Sequence, residues 1–207
     1  MTALVHALLQ KRRDAFPVGR LLALACLSSA AFGAAVGAYQ GRLQILYAAV
    51  KMPLYFLGTL TVSFGAMHLF AARERKAGET FAVAIETVAL TTVVLAALAP
   101  VEGLVSLSCP KPSRRAYSFL VLLLTGCVAA AGVCGVVRAY RRLRSARLAA
   151  IWVLIYQFVG AQMAWLLKPW VNDGLGPDRF LPLRENLHGT FYEAVLEAFL
   201  NVMRGEP

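Results

Sequence analysis

Apolar residues in this chain gather into five long runs: Leu21 to Tyr39, Pro53 to Ala72, Phe81 to Ala99, Tyr117 to Val137 and Leu148 to Leu167. Each is about 20 residues, and at about 1.5 Å rise per residue a helix of that length crosses the roughly 30 Å hydrocarbon core of a bilayer. Lipid offers no partner to a bare backbone N–H or C=O, so runs of this kind are helices. The pattern predicts an all-α polytopic membrane bundle of about five transmembrane helices. At both ends the pattern becomes amphipathic. Leu4, Val5, Leu8 and Leu9 precede Lys11-Arg-Arg13 and Pro17, while Phe191, Val195, Ala198, Phe199 and Val202 share one face behind a Thr190/Glu193 capping box. Interfacial amphipathic helices are expected there. The chain divides into an N-terminal interfacial segment (1–19), a five-span transmembrane domain (20–170), and an extracytoplasmic loop with an amphipathic helix (171–207).

The breaks between runs predict further local structure. Residues 40–51 are too short to span and carry Leu43, Leu46, Tyr47 and Val50, which suits a separate interfacial or re-entrant helix. Pro53 would then sit in the first turn of the second span, where its missing N–H loses no bond. Pro100 to Arg115 reads as a polar loop containing Glu102, Cys109 and two prolines. Val171 to Pro182 is too rich in Gly and Pro for regular structure.

In the first run, small residues recur at every fourth position: Ala25, Ser29, Gly33, Gly37 and, just beyond, Gly41. Residues four apart share a helix face, and small ones there let two backbones approach closely. The ladder predicts a helix–helix contact, either within one subunit or across a homo-oligomer. Gly126, Ala130, Gly132 and Gly135 predict a second close-packing surface on the fourth run. Lys51, Trp165, Lys168 and Trp170 are placed at the membrane boundary as snorkelling and aromatic-belt residues.

Composition and charge narrow the class. The chain is 59% hydrophobic with a formal charge of +10 and a mean hydropathy of +0.63. Its cations lie in short clusters at the ends of apolar runs, with no basic face interleaved with aromatics, so they argue for topology and against nucleic acid. The densest cluster, Arg138 to Arg147, marks the cytoplasmic side and places the N-terminus there too. Membrane lipids are expected partners, together with further copies of the chain or another membrane protein.

Candidate chemistry is sparse. Glu86 and His68 lie at similar depths in a helical hairpin formed by the second and third runs, with Thr87 and Thr91 beneath Glu86. An intramembrane carboxylate is costly unless it is paired, protonated or wet, so His68 is its expected partner. Two readings follow: a proton- or ion-linked site built from Glu86, His68, Thr87 and Thr91, or a polar clasp that sets helix register. Cys26, Cys109, Cys127 and Cys134 show no CxxC or Cys/His spacing, no acidic/His cluster has metal-ligand spacing, and no catalytic residues or cofactors are expected.

The segments Lys51 to Leu60, Phe158 to Trp170 (ending Leu-Leu-Lys-Pro-Trp) and Thr190 to Val195 carry a resemblance. They are similar to a family of bacterial multi-pass membrane proteins, many of them labelled as actin-binding proteins of the Wiskott-Aldrich homology type. More distantly, five spans with a cytoplasmic N-terminus resemble the Yip-type membrane proteins of vesicle traffic. The first resemblance implies a bacterial inner membrane, and the second implies scaffolding and partner recruitment. Neither implies catalytic residues. The expectation is a non-enzymatic membrane scaffold or accessory subunit assembling through small-residue helix faces. The alternative is a small oligomeric channel or ion-coupled carrier using Glu86 and His68.

Overall fold

A computed structural model describes residues 17–70, 76–110, 114–167, 180 and 190–204. Among them are six α-helices and no strand: α1 (Val18–Gly37), α2 (Arg42–Phe70), α3 (Ala77–Ser108), α4 (Arg114–Leu143), α5 (Ala146–Leu167) and α6 (Phe191–Arg204). The first five are long and apolar enough to cross a membrane. The expected N-terminal helix, Lys168, Trp170 and most of the loop after α5 lie outside the described residues.

Three expected boundaries are corrected. Residues 40–51 are not a separate interfacial helix. Residues 42–51 are the first third of α2, which continues through Pro53. Proline removes one backbone bond, but here the preceding turns are already held against α1, so the helix carries on with a local defect. Likewise α3 passes through Pro100 and ends at Ser108, so the expected polar loop shrinks and Glu102 becomes a helical residue. The fourth helix runs on to Leu143, taking Arg138, Arg141 and Arg142 into its last turns.

The bundle centres on α1, whose largest interfaces are with α3 and α2. Ala25, Ser29, Gly33 and Gly37 are all buried. Gly33 lies against the backbone of Ala48 and the Met52 side chain, and a Cβ added at Gly37 would sit 2.5 Å from the Gln44 carbonyl oxygen and 2.7 Å from Ile45 Cα. Most of the ladder therefore closes a contact inside one chain. Gly41 departs from it: at φ 116° it forms the left-handed turn into α2 and faces open space, so it is a turn residue and not a packing residue. Ser29 needs no partner from another helix, since its hydroxyl donates to the Ala25 carbonyl at 2.7 Å. Phe32, Met52, Leu60, Ile85, Leu95 and Leu120 fill the interior around this seam.

The remaining helices wrap the seam. Helix α4 packs on α3 and α5 packs on α2, while α4 and α5 touch each other little, and α6 packs chiefly on α4. That helix opens with the expected capping box: the Glu193 N–H donates to Thr190 Oγ1 at 3.3 Å and the Thr190 N–H donates to Glu193 Oε2 at 3.0 Å. Replacing Thr190 by Ala should weaken α6 by about 1 kcal/mol. Faster amide exchange confined to Phe191–Arg204 would register it, and unchanged exchange would show that docking alone holds the helix.

Candidate functional site

Glu86 lies in the first third of α3 and is 2% exposed. Helix α4 runs antiparallel to that segment and brings two arginines, four residues apart and hence on one face, to its carboxylate. Arg142 binds it in bidentate fashion, Nη2 donating to Oε1 at 2.6 Å and Nε to Oε2 at 3.0 Å. Arg138 Nη2 donates to Oε2 at 3.1 Å. This is the planar, charge-assisted geometry in which a guanidinium recognises a carboxylate most strongly. Two cations meet one anion, so the cluster carries an excess charge of +1. Arg138 is buried and its Nε–H has no protein partner, whereas the Arg142 side chain is 29% exposed.

The expected Glu86–His68 partnership does not form. His68 stacks on Phe64 with ring centroids 5.8 Å apart, and its Nδ1 is buried without a hydrogen-bond partner. Two permanently charged forks outcompete one imidazole, and α2 meets α3 over only a small area, including an edge contact of Phe64 with Phe81 at 5.1 Å. Thr87 and Thr91 do not bind the carboxylate either. Their hydroxyls donate to the carbonyls one turn back, Val83 at 2.8 Å and Thr87 at 3.0 Å. Gly135 of α4 packs against these same two threonines, so Thr87, Thr91 and Gly135 form the close α3–α4 contact just inside the ion cluster. Gly126 meets nothing within 4 Å of an added Cβ and makes no close contact within the chain.

Beyond that contact a partly open cavity of about 250 Å³ extends between α2, α3, α4, α5 and α6. Its surface is mostly apolar, with rings from Tyr55, Phe56, Trp152 and Tyr156 and small residues at Gly132 and Gly160. The Trp152 indole N–H is buried and has no partner.

A second buried carboxyl lies where the sequence pattern predicts a polar loop. Glu102, sixteen residues after Glu86 and about 24 Å along the axis, is 1% exposed. Its Oε1 has no partner, and the nearest donor to Oε2 is the Cys127 thiol at 4.0 Å. Ser106, one turn on, is also buried with an unpartnered hydroxyl. Pro100 hid this pair by mimicking a helix end. The i, i+4 spacing of Glu102 and Ser106 within a continuing apolar pattern was the signal that could have found it. Likewise the i, i+4 spacing of Arg138 and Arg142 inside a cluster read as a topology marker could have identified the partners of Glu86.

Of the residues expected at the boundary, Lys51 is buried within α2, with its ammonium 5.6 Å from the Phe180 ring centroid. Trp165 is half-buried in the last turn of α5. No group of three or more His, Cys, Asp or Glu among the described residues could hold a metal ion. No protein-family model, curated protein or solved structure matches the chain.

Proposed function

We propose that this protein is a non-enzymatic integral membrane scaffold or accessory subunit, seated in a bacterial inner membrane with its N-terminus and the Arg138–Arg147 cluster on the cytoplasmic side. The carrying observation is the saturation of Glu86. Its three hydrogen bonds from Arg138 and Arg142 tie α3 to α4, and a carboxylate so held serves as a clasp and not as an exchanging ion site. With Gly33 and Gly37 consumed inside the chain, the surface left for lateral assembly is the outer face of α4, where Gly126, Ala130, Val133 and Cys134 are exposed. The resemblance to Yip-type proteins, with their scaffolding roles, points the same way. The channel or carrier reading draws its support from the cavity, whose wall includes Thr91, Thr125 and Gln157.

The deciding experiment is the mass of the particle extracted from native membranes into nanodiscs, compared with the 22.4 kDa of one chain. The scaffold reading expects a higher mass, from further copies or a second protein, and thiol cross-linking through Cys134, the one exposed cysteine of the four. A lone chain that moves ions in proteoliposomes and stops on Glu86→Gln would replace it with the carrier.

A further inference from the structure

The apolar cavity and the excess positive charge lie close together, and together they describe a ligand. Thr87 and Gly135 touch each other across α3 and α4, both line the cavity, and they are one residue from Glu86 and three from Arg138, so the ion cluster lies within about one helical turn of the cavity. The wall is mostly apolar, with a few polar groups from Thr91, Thr125 and Gln157 among the rings. The surrounding solvent for such a space is the bilayer, which supplies hydrocarbon chains. At the arginine end one carboxylate leaves two guanidiniums only half neutralised, with the Arg138 Nε–H unpartnered and Arg142 partly open.

We infer that this protein carries a specific site for an anionic amphiphile, with one acyl chain in the cavity between α2, α3, α4, α5 and α6 and the negatively charged headgroup at Arg138 and Arg142. The site is separate from the proposed assembly surface and stands whether or not the scaffold reading does. A phosphodiester headgroup and a fatty-acid carboxylate share the chemistry the arginines recognise. Phe191 and Tyr192, at the start of α6, complete the wall, so the docking of that helix shapes the site.

Gly132 supplies the test. It lines the cavity, and a Cβ added there meets nothing within 4 Å, so Gly132→Leu should fill the space without disturbing the fold. Gly65 on α2 is equally open but outside both the cavity and the proposed assembly surface, which makes Gly65→Leu the matched control. The full chain, stripped with detergent, would be offered phosphatidylglycerol, a free fatty acid of the same chain length, or phosphatidylcholine, and retained lipid counted by native mass spectrometry. The wild type and Gly65→Leu should retain one anionic lipid, with a preference of about fivefold or more over phosphatidylcholine, the factor one basic side chain provides. Gly132→Leu should retain none, and Arg142→Gln should lose the preference. The phosphatidylglycerol and fatty-acid arms tell which source the site takes. Equal retention of phosphatidylcholine by the wild type, or undiminished retention by Gly132→Leu, would overturn the inference. Should Gly132→Leu fail to fold, the unfilled cavity answers through Trp152 in a Trp165→Phe, Trp170→Phe background. Bromine on a phosphatidylglycerol chain should quench its fluorescence saturably, and quenching no stronger than with brominated phosphatidylcholine would count against the site.

Discussion

Replacing Glu86 by Gln should destabilise the bundle by about 3–5 kcal/mol, the usual consequence of removing one partner from a buried ion cluster and leaving the others uncompensated. Two guanidiniums would then face each other beside α3 with one neutral carbonyl between them, and α4 would loosen from α3 at the arginine end. Thermal unfolding in detergent or nanodiscs would read the loss. The clasp makes a second, sharper expectation. Exchanging all three charged residues for apolar side chains of similar length should restore most of the stability, because apolar packing commonly replaces a buried ion cluster at little cost. If Glu86→Gln instead left stability intact and altered only transport, the carboxylate would be a working ion site and the clasp reading would fail.

An equally large effect is expected at the α1–α2 seam. Any side chain at Gly33 would collide with the backbone carbonyl of Ala48, and one at Gly37 with the Gln44 and Ile45 backbone. Backbone cannot step aside as a flexible side chain can, so the two helices must separate along one of the two largest interfaces of the fold. Gly33→Leu or Gly37→Leu should cost more than about 4 kcal/mol and yield little folded protein. Gly126→Ala, in open space on α4, should be neutral or gain up to about 1 kcal/mol from helix propensity. Fluorescence-detected size exclusion on the three variants would separate these cases. A folded, monodisperse Gly33→Leu would mean that α1 does not pack on α2 as described.

Reading hydrophobic runs located five helices because lipid leaves the backbone no alternative, and that constraint needs no knowledge of neighbours. The same reading stumbled at Pro53 and Pro100. Proline is a reliable helix end in water, where freed carbonyls are solvated, and a poor one where the flanking turns are already packed. Merging the turn before Pro53 into α2 left Lys51 buried among its neighbours in the bundle. Continuing past Pro100 brought Glu102 and Ser106 into the interior.

The sequence by itself determined the class of the protein, the number and rough extent of its spans, the ladder at Ala25, Ser29, Gly33 and Gly37, the capping box at Thr190, and the fact that Glu86 must find a partner. All of these follow from local period and from the energetics of a residue in lipid. Tertiary structure alone decided who meets whom. Adjacent runs do not have to be the closest neighbours: α1 lies at the seam, so α2 and α3 touch little, His68 is left stacked on Phe64, and antiparallel α4 delivers Arg138 and Arg142 to Glu86 from more than fifty residues away. The cavity has the same origin. It is the space left where five helices from distant parts of the chain fail to close, and no single helix carries a mark of it.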